Sequence, residues 1–228
     1  MRQLVSFKAY IRHIFVRYIL ALIVLMMTIF LGFMLFHYEV YVVRESRQAS
    51  ENLCTLLTAE WQRYNDGLQA LTEDELLRAA LEEPGDLAAL NRRLYEFSFA
   101  GSLKSDFILL DAKQQVVTSS LYKENQELFL MNRSIQTDLQ SLHNGSVMSA
   151  SGVLRIPFSH GQEAEYVFMR AVTHEGRRLG YLIFSLKEDS FSALAGGRSV
   201  DQIAIMDAFD YVIFSTNRLL IDPLGKFA

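Results

Sequence analysis

The sequence predicts an α+β protein: an N-terminal transmembrane helix continuing into a long helix, then an antiparallel sheet domain and the start of a second one. Three observations predict it. Residues 18–37 carry no charge; residues 106–187 hold β-rich runs separated by turn residues; and one hairpin-like segment occurs twice.

As an α-helix the run 18–37 is about 30 Å long, enough to cross the hydrocarbon layer of a bilayer. Arg2, Lys8, Arg12 and Arg17 precede it without an acidic residue, while Glu39, Arg44, Glu45, Arg47 and Glu51 follow. That asymmetry keeps the N-terminus in the cytoplasm and sends the chain after about residue 38 outside. A cleaved signal peptide has an apolar core of ~7–15 residues and a small-residue cleavage site. Here FHYEVYVV follows a longer run, so the segment reads as an uncleaved anchor in membrane lipid.

Beyond the span there is no proline before Pro84, and the first glycine is Gly67. Val43, Ser50, Cys54, Leu57, Trp61, Tyr64 and Leu68 fall at three- and four-residue spacings, which predicts a helix with one apolar face to about Asn65. The stripe is expected to pack on the domain behind it. Val43, Cys54, Leu57, Trp61 and Tyr64 are also candidates for a homodimer seam. Thr72 and Glu75 form a capping box before a helix ending at Pro84-Gly85, and Asp86 is the expected cap of a second helix, 87–99.

The texture then turns to strands. Residues 106–120 read as two strands around a turn at 112–115, and 122–143 read as one helical crossover ending at Asn144-Gly145. Three antiparallel strands follow, with turns at 160–162 and 174–176. Leu154, Ile156 and Phe158 alternate with Arg155, as on a strand with one buried face.

The chain also repeats itself. Asp111, Ala112, Val116 and Ser119 align with Asp207, Ala208, Val212 and Ser215, across turns of equal length. The residues after Asp207 are too few for a second complete sheet, which would leave Ile203, Ile205, Val212 and Phe214 unburied. The expectation is a fragment of a longer protein.

Chemistry is sparse. No nucleophile elbow, H-E-x-x-H, P-loop or G-x-G-x-x-G occurs, so no catalytic site, metal site or cofactor is read from residues 1–228. The histidines His13, His37, His143, His160 and His174 are scattered. Asp111 and Asp207 read as turn formers, and Glu73, Asp74 and Glu75 as helix N-terminal charges. The net charge of −4 argues against a nucleic-acid partner, and a single cysteine forms no internal disulfide.

The first hairpin (106–120), the three-strand block (153–187) and the junction from GYLIFSLKEDSFSAL into DQIAIMDAFDYVIFSTNRLLIDPLGK together resemble double Cache (PAS-like) sensor domains of bacterial receptors. The nearest likeness is to membrane sensor histidine kinases paired with AraC-type response regulators. The resemblance implies a cytoplasmic segment 1–17, a transmembrane helix 18–37 and a membrane-emergent signalling helix 38–70. It further implies a membrane-distal Cache/PAS-like domain 71–195 and the truncated beginning of a membrane-proximal one, 196–228. The full-length protein would then be a histidine protein kinase that detects an external small molecule or protein. The same sensor on a chemoreceptor or a cyclic-dinucleotide enzyme is the alternative, with an anchored surface binding protein behind it.

A ligand pocket is expected on the open face of the distal sheet, under the 122–143 segment. Tyr166, Phe168 and Arg170 share one face by alternation, Tyr181 is placed on the neighbouring strand and Tyr122 in the cover. Arg170 between aromatics suits a bidentate carboxylate.

Overall fold

The computed structural model describes residues 7–83, 85, 87–158, 161–195, 202–207 and 210–217. The chain divides into two compact units, Met1–Glu51 and Asn52–Ala228.

The first unit holds helix α1 (Phe7–His37), a π-helical segment (Tyr38–Val43) and the start of helix α2 (Arg44–Thr72). Every residue from Tyr10 to Tyr38 is exposed, including Leu20, Leu25, Phe30 and Leu35, so this helix has no core of its own to face. One helix near the N-terminus is long and apolar enough to cross a membrane, and none of its apolar window is buried.

In the second unit α2 extends past Asn65 to Thr72. Gly67 does not end it: a Cβ there would meet the Phe97 ring at 2.1 Å, so this glycine lets another chain segment approach the helix. Helix α3 (Glu75–Glu82) is capped by Asp74, whose carboxylate accepts from the Leu76 N–H. The capping box at Thr72 is thereby corrected, since Thr72 still belongs to α2 and donates to the Gln69 carbonyl. Helix α4 (Ala88–Phe99) starts from Leu87 without a side-chain cap; Asp86 lies outside the described residues.

Strands β1 (Ser105–Asp111) and β2 (Val116–Ser119) form the first hairpin. The crossover is two helices, not one: α5 (Lys123–Leu130) stops at Met131, and Asn132 caps α6 (Arg133–His143) by accepting from Ser134 and Ile135. A side chain that competes for backbone N–H groups restarts the helix in a new direction. Strands β3 (Ser149–Phe158), β4 (Gly161–His174) and β5 (Arg177–Lys187) complete an antiparallel five-stranded sheet of order β2-β1-β5-β4-β3. Helix α7 (Glu188–Ala195) follows. The predicted turn at His160 and the side chains of Ile156 and Phe158 lie outside the described residues, whereas Leu154 packs on the α5–α6 side.

Two cores flank this sheet. Phe107, Leu109, Phe168, Leu182 and Phe184 pack with α2, α3, α4 and α7. Ile108, Leu110, Val167, Met169, Tyr181 and Ile183 pack with Phe129, Ile135, Leu139 and Leu142 of α5 and α6. The period-2 alternation of β1, β4 and β5 supplies both faces.

Strands β6 (Ala204–Met206) and β7 (Val212–Ser215) reproduce the pairing register of the first hairpin, bulge included. Asp111 N–H donates to Gln115 O and Asp207 N–H to Tyr211 O, each 2.9 Å; Ser120 N–H donates to Phe107 O and Thr216 N–H to Ile203 O, each 3.0 Å. Gln114 and Asp210 both have positive φ, at 64° and 67°. The hairpin is not left open, as the sequence alone suggested. Ile205, Val212, Ile213 and Phe214 are buried, and Phe214 stacks on Phe191 of α7 at 6.3 Å.

Candidate functional site

The predicted ligand set divides between the two faces of the sheet. Tyr166 and Phe168 lie on the α2 face, where Trp61 meets them edge-on at 4.7 and 5.9 Å. Tyr64 stacks on Phe168 at 5.2 Å with the rings 10° apart. Tyr64 and Leu68 are buried in this core, and Leu57 and Trp61 pack against it. Residues predicted for a dimer seam and residues predicted for a ligand pocket thus meet in one aromatic cluster joining α2 to β4. Cys54 and Val43 remain exposed. Arg170 is half-buried on the same face of β4, in register with Ser149 and Leu182. Tyr122 is 85% exposed, just before α5.

Tyr181 lies on the other face. In the β4–β5 hairpin His174 pairs Arg177 and Thr173 pairs Arg178, a register that would set Tyr181 opposite Arg170. A bulge between Val172 and Thr173 shifts the pairing by one, so Tyr181 stands opposite Ala171, and one step of register exchanges the faces.

There Tyr181 is fully buried beneath α6, and its hydroxyl shares a 2.7 Å hydrogen bond with Nδ1 of His143. Nη1 of Arg178 donates to the His143 carbonyl. Nε of Arg178 is buried without a hydrogen-bond partner among the described residues. On α6, burial lifts the Asp138 carboxyl above its ordinary range. Tyr181, His143 and Arg178 therefore gather polar groups at the edge of an otherwise apolar sheet–helix interface. Sequence reasoning passed over His143 and Arg178, whose part depends on where α6 ends over β5.

Around α2 a second polar group is locked in place. Arg63 Nε donates to Glu60 at 2.9 Å, Glu60 accepts from Ser102 N–H, and Arg63 also donates to the carbonyls of Phe97 and Leu103. Tyr64 donates to Leu103 O at 2.9 Å, and burial raises its hydroxyl pKa, against hydrogen bonding by Ser105 and the charge of Arg63. These contacts clamp α2 onto the α4–β1 connection.

A cleft of about 470 Å³ opens between α3 and the two hairpin turns, lined by Glu82, Glu83, Asp111, Lys113, Arg177 and Arg178 among others. Another of about 310 Å³ lies between α2 and α4 at Gly67, Arg93 and Phe97. Neither is lined by Tyr122, Tyr166, Phe168, Arg170 or Tyr181.

No family model matches the chain, and no curated protein does. Solved structures do. The sensor domain of the V. cholerae histidine kinase DctB aligns at 13% identity and TM-score 0.56, over 81% of this chain and 70% of that one. A domain of a sensory box/GGDEF family protein from Vibrio parahaemolyticus gives 16% and 0.54, over 78% and 75%. The ligand-binding domain of the Pseudomonas fluorescens chemoreceptor CtaA, in complex with L-serine, gives 14% and 0.53, over 75% and 70%. At these identities the likeness is one of fold: a long helix and an antiparallel α+β sheet domain, as in sensor domains of bacterial histidine kinases and chemoreceptors.

Proposed function

We propose that this chain is the membrane-anchor and extracytoplasmic sensor portion of a bacterial two-component receptor, a sensor histidine kinase. The observation that carries the reading is the two-sided use of β4 and β5. Their odd-numbered residues Met169, Tyr181 and Ile183 lie under α5 and α6, while Phe168, Leu182 and Phe184 lie against α2. A ligand that repacks one face shifts side chains on the other through the same strands, and interiors packed this densely transmit such strain. In this reading residues 1–17 are cytoplasmic, 18–37 cross the membrane, 38–70 form the signalling helix, 71–195 are the distal Cache/PAS-like domain, and 196–228 begin a proximal one. The matching hydrogen bonds of the two hairpins support the last assignment.

The ligand is a small molecule held between the sheet and α5–α6. Tyr181, His143 and Arg178 are its polar anchors, with Tyr122 at the rim. Tyr166 and Phe168 are the relay to Trp61 rather than ligand contacts. Arg170 shares their face of β4, turned away from α5–α6, and is not a contact of this ligand. The chain acts as a homodimer through the exposed flank of the long helix that carries Val43 and Cys54.

The test is a thermal-unfolding screen of the full chain in lipid nanodiscs against amino acids, dicarboxylates and sugars. One chemical class should raise Tm by several degrees in a saturable way, and Tyr181→Phe or His143→Ala should abolish the rise. A rise that survives both substitutions would move the ligand elsewhere.

A further inference from the structure

Between α1 and α2 the backbone leaves α-helical hydrogen bonding for one π-helical stretch, Tyr38–Val43. The Arg44 N–H donates to the carbonyl of Glu39, five residues back instead of four. His37 and Arg44, on either side, keep ordinary helical angles, so the departure is confined to YEVYVV. Its composition lowers the barrier to leaving the α form. Three valines and two tyrosines lose rotamer freedom against a preceding α-turn and rank below alanine, leucine and glutamate as helix formers. No residue of the segment is buried. The His37 and Tyr41 rings stack at 4.6 Å across its first turn.

Its position is also specific. It begins with Tyr38, the last uncharged residue of the run, and contains Glu39, the first charge after Arg17. Polar backbone groups freed inside hydrocarbon find no partner, whereas at this level water reaches them.

We propose that Tyr38–Val43 is a two-state register element in the long helix. A π turn accommodates one residue more than an α turn. If the same residues wound as α-helix, everything after Val43 would turn by about 100° and advance by about 1.5 Å relative to α1. Such a step is a discrete alternative arrangement, which coupling along a helix requires. It belongs to the chain's own backbone and stands whether or not the sheet binds a ligand.

The experiment is an intrachain distance measurement by pulsed electron paramagnetic resonance on the full chain in nanodiscs. Spin labels are attached at Met34→Cys and Ser50→Cys, with Cys54→Ser. On helix geometry the all-α arrangement places the labels about 5 Å farther apart than the π-containing one. Wild type should give the shorter distance, and deletion of Val42, which removes the extra residue, should keep it. Val40→Ala, Val42→Ala and Val43→Ala together favour the α form and should move the distribution to the longer distance. A triple variant unmoved from the wild-type distance, or a wild type already at the longer one, overturns the proposal.

Discussion

Asp138 carries a charge that burial on α6 disfavours, and the consequence depends on pH. Its folded pKa is raised by desolvation, so the unfolded chain releases this proton at lower pH than the folded one. Stability from this group is complete below about pH 4 and is lost as pH rises through the folded value. Asp138→Asn should therefore raise Tm at pH 7 and leave it unchanged at pH 3, as followed by circular dichroism. A neutral-pH Tm that falls would mean the carboxylate has a stabilising partner. At this scale the site was only partly legible in the sequence. Alternation correctly grouped Tyr166 and Phe168, because they sit on one unbroken strand. For Tyr181 the sequence shows only the neighbouring strand and not the face, because a bulge, which changes register by one, leaves no mark as plain as a turn residue does. His143 and Tyr181 meet only through the packing of α6 on β5, a long-range fact that spacing does not encode.

Helix α2 is the element whose apolar stripe had two predicted uses, and packing on the domain takes the larger part. Trp61 touches Tyr166, Phe168 and Phe191, so a glutamate at Leu57 or Trp61 would break the fold of the sheet domain before it reported on any seam. Cys54 is the better probe, being exposed and the only cysteine. Mild oxidation of the full chain in native membranes should yield a disulfide-linked dimer that Cys54→Ser abolishes. Monomer alone under conditions that oxidise free thiols would remove the seam near Cys54. Both hairpins were legible because Asp111 and Asp207 bond their own turns, a local signal. The break between α5 and α6 was missed because Asn132 lies inside an otherwise helical stretch. The end of α2 was set too early because Gly67 serves close packing with Phe97 rather than termination.

For the molecule as a whole, the second hairpin is a separate two-stranded sheet that packs against the core of the sheet domain. Phe214 is buried against Phe191, and Ile205 and Ile213 join the same cluster. Truncating Phe214 to alanine should cost about 3–5 kcal/mol by urea unfolding, the usual range for a buried aromatic. A loss under 1 kcal/mol would mean the hairpin contributes little to this domain. The α+β class was legible throughout, since hydrophobic period alone distinguishes the anchor, the helices and the alternating strands. What joins them lies in cross-sheet packing.

The central claim is that this domain senses the outside of the cell from a membrane anchor, and side-selective thiol labelling tests it most directly. Met131 is 79% exposed, so Met131→Cys in a Cys54→Ser background presents an accessible thiol on the sheet domain. A membrane-impermeant maleimide added to intact spheroplasts should label that position fully without lysis. Labelling that appears only after lysis would put the sheet domain in the cytoplasm and contradict the account.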